Sequence, residues 1–219
     1  MATFALIHGG GGSARDWRLV VPELRRRGHE AVAVDLPVED ESAGLRDYAD
    51  TVVKAVGGRS DLVVVGHSWG GFVAPLVCDR VRAELLVLVT AMIPAPGERP
   101  ADWWHNTGWR QGGWEGVDLF LQDVRPDLAA EMMAGSRRHS GTADAEPWPL
   151  DRWPDVPTRF LLCRDDRFFT PAFMREVVRA RLGVTPDELP GGHCPMLARP
   201  AELADRLVGY LASPRRKAG

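Results

Sequence analysis

Residues 62–71 read LVVVGHSWGG, and this stretch restricts the fold more than any other in the chain. Four β-favouring residues lead straight into Gly66-His67-Ser68-Trp69-Gly70, a G-x-S-x-G pattern, and a helical stretch from Phe72 to Val81 follows. A chain that leaves a strand, turns sharply and enters a helix crowds its own backbone at the turn. Side chains two positions either side of Ser68 would collide there, so glycine is needed at both. The serine is then held on strained backbone with its hydroxyl exposed above the end of a sheet. The following helix offers its N-terminal amides to a developing anion. Pro75 falls in the early turns of that helix, where proline is tolerated.

The same kind of apolar run recurs along the chain. Strands are expected over 3–7, 31–34, 62–65, 85–89 and 159–163, with a weaker one over 187–189 before Pro190. The runs are nearly continuous rather than alternating, as in parallel strands covered on both faces. Between them, 17–27, 45–56, 72–81, 171–180 and 200–212 carry apolar residues at helical spacing. Pro171 opens its helix. The alternation predicts an α/β fold with a mostly parallel central sheet and helices on both faces. One domain over 1–219 suits this length and a hydrophobic content of 45%.

From about 94 to 157 the strands stop. Pro and Gly become dense, and six of the eight tryptophans fall here: Trp103, Trp104, Trp109, Trp114, Trp148 and Trp153. Short helices are expected over 117–122 and 126–133. So long an excursion reads as a Trp-rich lid insertion, with Trp103, Trp104, Trp109 and Trp114 as candidate substrate-binding residues. A packed surface insertion anchored by its tryptophans is the plainer reading.

A serine hydroxyl needs a base to become a nucleophile. His193, in LPGGHCP, follows the last weak strand and precedes the last helix, so its loop reaches the carboxyl edge of the sheet beside Ser68. The base needs a carboxylate to orient it. Asp166, in CRDDR after the fifth strong strand, is the candidate. Asp165 is the alternative; being closer to the strand, it would support the turn or pair with an arginine. His8-Gly9-Gly10-Gly11-Gly12 follows the first strand, and glycines there let backbone amides approach a bound oxyanion. The amides of Gly10 and Trp69 are the expected donors. The run GGGGSARDW lacks the Lys-Ser/Thr ending of a phosphate-binding P-loop, and G-x-G-x-x-G fails as well.

Other titratable residues are given lesser parts. His67 is expected to point away from Ser68 as a supporting residue, and His8 to pack behind the glycine loop. His105 and His139 are expected to be exposed, and Cys194 to pack as a small apolar group. The six histidines show no H-x-x-x-H spacing, so no metal is expected. Cys78, Cys163 and Cys194 are few, odd in number and far apart, which fits a reducing, cytoplasmic setting. No signal peptide is expected, and no run reaches the roughly 18 apolar residues of a membrane span. The net charge of −3 gives no general attraction to nucleic acid or anionic membrane. Arg25-Arg26-Arg27 should close a helix, and Arg215-Arg216-Lys217 should form a frayed tail.

The stretches LIHGGGGSARDW, VDLP, VVVGHSWGG, LLCRDDRFFTPAF and GGHCPMLARPAEL resemble the α/β-hydrolase superfamily along the whole chain. The similarity is to its small lidded members: plant methylesterases, hydroxynitrile lyases and their bacterial relatives. The resemblance implies the α/β-hydrolase fold, no metal or organic cofactor, and a small-molecule ester substrate. A monomer or homodimer is expected, with nothing in the sequence choosing between them. It also selects Asp166 as the acid, because the subfamily places that residue before a short run ending in Pro-x-Phe, here Pro171 to Phe173. Hydroxynitrile lyases of this fold follow the histidine with a lysine; here Cys194 stands there, and the only lysines are Lys54 and Lys217. The resemblance therefore implies hydrolysis of a small apolar or aromatic carboxylic ester through an acyl-enzyme. A lyase or other non-hydrolytic member, and a ligand-binding receptor of the same fold, are the alternatives.

Overall fold

A computed structural model describes residues 1–212. Six strands form one sheet: β1 (Thr3–Ile7), β2 (Glu30–Val34), β3 (Leu62–His67), β4 (Ala83–Val89), β5 (Thr158–Cys163) and β6 (Asp187–Leu189). Their order is β2-β1-β3-β4-β5-β6, and every pairing is parallel. The short 187–189 run is a true edge strand, in register with Leu161–Cys163 of β5.

The sheet explains the unbroken apolar runs. Successive strand residues point to opposite faces. Ala5, Ile7, Val64, Leu86, Leu88, Phe160 and Leu162 bury on one face against α2 (Leu45–Val56), α3 (Ala74–Arg80) and α8 (Pro171–Leu182). Phe4, Leu6, Val63, Val65, Val87, Val89 and Leu161 bury on the other against α1 (Val20–Arg26) and α10 (Pro200–Gly209). Neither face is wetted, so neither set could be polar. Arg26 and Arg27 end α1 by pairing with Glu23, and Arg27 also reaches Asp205 of α10. The basic run at 215–217 lies outside the described residues.

The chain runs from β1 outward to β2, then returns to the other side of β1 for β3. Such a reversal opens a crevice at the carboxyl ends of the two strands. The loop after β1 and the turn after β3 both open into it, which brings Gly9–Gly12 beside Ser68.

Residues 90–157 join β4 to β5 across this edge. They hold a 3₁₀ turn, Pro100–Asp102, and four short α-helices: α4 (Trp103–Asn106), α5 (Gly116–Phe120), α6 (Pro126–Ala134) and α7 (Gly141–Ala145). The sequence pattern indicates α5 and α6 but not α4 or α7, which are too short to develop a periodicity. A last short helix, α9 (Pro195–Ala198), follows His193. Among the described residues no helix is long and apolar enough to cross a membrane.

Packing at the turn after β3 admits no side chain beyond those present. A Cβ at Gly71 would be driven into the Met92 carbonyl oxygen, which is backbone and cannot swing away. Gly58, by contrast, has open space around it. Gly71→Ala is expected to cost about 3 kcal/mol or more in urea denaturation, whereas Gly58→Ala stays within about 0.5 kcal/mol of wild type.

Candidate active site

Ser68 sits at φ 49, in the left-handed region that a residue with a Cβ rarely occupies. The neighbours force it there. A Cβ at Gly66 would stand 2.8 Å from Ala74 Cβ, and one at Gly70 would stand 2.7 Å from the His8 carbonyl oxygen. The turn continues as a 3₁₀ segment, Ser68–Phe72, before α3 begins. The Ser68 carbonyl accepts from Met92 N at 2.9 Å, which ties the turn to the chain leaving β4.

Three side chains from separate loops meet at this turn. Ser68 Oγ lies 3.0 Å from His193 Nε2. His193 Nδ1 lies 2.8 Å from Asp166 Oδ2. Asp166 Oδ1 accepts from the amides of Phe168 at 2.8 Å and Phe169 at 2.9 Å. A carboxylate so held can only accept, so Nδ1 carries the ring proton and Nε2 is free to accept from Ser68. All three residues are buried.

Asp165 does different work. Its Oδ2 accepts from Gly191 N at 2.9 Å, and its own amide donates to the Gly191 carbonyl at 3.0 Å. It thereby joins the β5 turn to the loop that carries His193. Asp123, from the excursion, accepts from Gly192 N at 2.8 Å, and Gln122 Nε2 donates to the Asp165 carbonyl at 2.7 Å.

The fold and this geometry agree with the comparison to known proteins: residues 4–206 match the alpha/beta hydrolase family. The chain belongs to that family. It is 27% identical to a probable hydrolase of a Phoma species, over 84% of this chain and 88% of that one. It is 24% identical to polyneuridine aldehyde esterase of Rauvolfia serpentina, over 94% of each. The crystal structure of polyneuridine aldehyde esterase superposes with a TM-score of 0.82 at 21% identity, covering 96% of this chain and 99% of that one. At that identity the superposition speaks for the fold alone.

In this alpha/beta hydrolase the space above Ser68 is a cavity of about 220 Å³. Gly9, Gly10 and Gly11 form one side, and Phe120, Leu121, Met132 and Met133 of the excursion form an apolar roof. A Cβ at Gly9 would press on Ser68 Cβ at 2.9 Å, and one at Gly10 would meet Trp69 Cβ at 3.6 Å. The glycine loop and Trp69, the residue after Ser68, therefore pack side by side.

The tryptophans are elsewhere. None of Trp103, Trp104, Trp109 and Trp114 is among the residues lining the cavity. Trp103 is fully buried and donates to the Ile93 carbonyl at 3.0 Å, and Trp109 donates to the Phe168 carbonyl at 3.0 Å. Trp104 packs between Trp103, Trp109 and Phe168. Trp114 is exposed, with the Arg167 guanidinium 3.7 Å over its ring. An indole buries a large apolar body but must satisfy one N–H, and for Trp103 and Trp109 a backbone carbonyl does so. The cluster instead buttresses Phe168 and Phe169, whose rings stand 5.1 and 5.4 Å from that of His193.

The remaining histidines divide by burial. His67 is buried, lines the cavity and donates from Nε2 to the His193 carbonyl at 2.9 Å. Burial, aided by the nearby His193, holds its pKa well below the usual range. His8 accepts from Leu36 N at 3.1 Å and bonds the Gly9 carbonyl at 2.8 Å, and burial lowers its pKa to about 4. Both are neutral near pH 7, so neither adds a positive charge beside His193. His105 is exposed. His139 is not: its ring packs 4.3 Å from that of Trp69 and only partly meets solvent. Cys194 is buried with its thiol pKa pushed far up by burial, as small-apolar packing requires, although it also lines the cavity.

Asp16 is the residue the sequence reading passed over. It is buried and lines the cavity beside the glycine loop. The spacing Ser13-x-x-Asp16 is a capping-box signal, and Asp16 Oδ2 does accept from Ser13 N at 3.1 Å. Burial raises its pKa from 3.8 to about 6. Between those values the folded protein binds more protons than the unfolded chain, so this group's contribution to stability falls as pH rises through that window. Asp16→Asn removes the effect. Its unfolding free energy at pH 8 is expected to exceed that of wild type by on the order of 2–3 kcal/mol, with the gap closing below about pH 4. Denaturant titrations of both proteins across pH 4–8 measure this.

Proposed function

We propose that this protein is a serine hydrolase that cleaves a small apolar or aromatic carboxylic ester through an acyl-enzyme. The observation that carries the reading is the unbroken hydrogen-bond chain from Ser68 through His193 to Asp166. Ser68 Oγ attacks the ester carbonyl while His193 Nε2 takes its proton. Asp166, held by two backbone amides, keeps the ring oriented and stabilises the imidazolium. The amides of Gly10 and Trp69 hold the tetrahedral oxyanion, each worth roughly 3 kcal/mol in comparable sites. The protonated His193 then gives its proton to the leaving alcohol. Water repeats the sequence on the acyl-enzyme and releases the acid.

The cavity's size and lining support a small, largely apolar substrate. Its roof is carbon and sulfur, and none of its lining residues is Lys or Arg. An ammonium beside the histidine is what cyanide release would use, so the lining also favours hydrolysis over cyanohydrin cleavage. The names of the relatives point the same way, since esterases recur among them.

Two measurements test the reading. Ser68→Ala is expected to lower kcat on phenyl acetate by about 10⁴-fold or more and to abolish labelling by a fluorophosphonate. Labelling that persists in the variant would overturn Ser68 as nucleophile. Asp166→Asn is expected to lower kcat by on the order of 10³- to 10⁴-fold while the protein stays folded by circular dichroism.

A further inference from the structure

One acid in the cavity wall lies outside the Ser68–His193–Asp166 chain, and its hydrogen bonding is incomplete. Asp16 is 7% exposed, yet among the described residues only the Ser13 amide donates to it, at 3.1 Å. A carboxylate offers roughly four acceptor positions. Asp166, 3% exposed, fills three of its own with His193 Nδ1 and two amides. Arg18 is the nearby cation, but its guanidinium is engaged by Glu131 and the Arg15 carbonyl. Gly12 packs directly against Asp16 Oδ2, with no room for a Cβ between them, so the open side of the carboxylate is the one that lines the cavity.

The capping box accounts for one lone pair and no more. An asparagine oxygen would accept from Ser13 N equally well, so capping does not explain a charged group here. A largely buried carboxylate with a single donor is costly to ionise, and burial pushes this carboxyl up to about 6. Such groups call for a partner that the protein itself does not supply. The unspent lone pairs belong to a residue that shares one cavity of about 220 Å³ with Ser68, so a ligand group meeting them lies within a few bonds of the ester carbonyl.

We infer that Asp16 is a substrate-recognition residue: its carboxylate receives a hydroxyl or ammonium hydrogen that the ester carries close to its scissile carbonyl. The inference rests on the proposed role of Ser68 and narrows the substrate class to small esters with a hydrogen-bond donor, set in an otherwise apolar skeleton. A substrate bearing a second carboxylate is excluded by repulsion from the same group.

The test uses three methyl esters of one skeleton, each as single enantiomers: mandelate, its O-methyl ether, and phenylglycinate. They are assayed with wild type and Asp16→Asn. In the variant, Ser13 N–H holds the asparagine oxygen, so the amide NH₂ faces the cavity and meets a donor with a donor. The expected result is a loss in kcat/KM of about tenfold or more for mandelate or phenylglycinate, with the ether changed by no more than about threefold. A loss on both esters assigns a general donor site, and a loss on phenylglycinate alone assigns an ammonium site. An equal change on all three esters, or no change on any, overturns the inference. So does failure on all three by a wild-type protein that hydrolyses phenyl acetate. If phenyl acetate is not hydrolysed either, the role of Ser68 falls first, and the two failures are told apart. A second measurement needs no variant. Inhibition of wild-type phenyl acetate hydrolysis by 1-phenylethanol should be about tenfold or more stronger than by its methyl ether, and equal inhibition overturns the donor site.

Discussion

The backbone of Ser68 is the constraint on which the remaining geometry depends. At φ 49 the residue pays a local conformational cost of about 1–3 kcal/mol, which persists only because the surroundings over-determine it. β3 pins it from one side, in register with β1 at Ile7–Gly66 and with β4 at His67–Val89. The 3₁₀ turn and α3 pin it from the other, and the carbonyls of His8 and Met92 close the gaps at Gly70 and Gly71. Held as it is, the hydroxyl projects into the crevice between β1 and β3, where the glycine loop and the His193 loop can both reach it.

Electrostatics around that hydroxyl are arranged by subtraction. Two further imidazoles, those of His8 and His67, are buried and held neutral, so neither places a like charge beside a protonated His193. The carboxylates are spent on backbone amides: Asp166 on Phe168 and Phe169, Asp165 on Gly191, Asp123 on Gly192. Each such bond fixes a loop at the sheet edge, and together they hold His193 from three directions. Asp16 departs from this pattern, with one amide and an open cavity beside it.

The excursion between β4 and β5 has two parts with different work. Trp103, Trp104 and Trp109 form a ring cluster behind the Asp166 loop, anchored by the indole N–H bonds of Trp103 and Trp109 to backbone carbonyls. Phe120, Leu121, Met132 and Met133 roof the cavity. Unbranched Met side chains adapt their shape to a ligand more readily than indoles do. The tryptophans thus pack behind Phe168 and Phe169, and the softer residues line the space above Ser68.

Much was legible in the residue order because the signals were local. A strand buried on both faces must be largely apolar, so the four inner strands could be read within a few residues of their ends, while the edge strand β6, Asp187–Leu189, gave only a weak signal. A strand-to-helix turn with a central serine needs its glycines, and that need marks Ser68 without reference to the rest of the chain. His193 and Asp166 could be named because each follows a strand, and parallel strands end at one edge. Tertiary structure decided what depends on side-chain direction across loops. Nothing in the order of residues says that Asp165 turns to Gly191 while Asp166 turns to His193, that the tryptophans face the acid loop instead of the cavity, or that Asp16 opens onto the space above Ser68. Composition and spacing specify which elements form; which way a loop side chain points is settled only when distant segments compete for the same volume and the same hydrogen bonds.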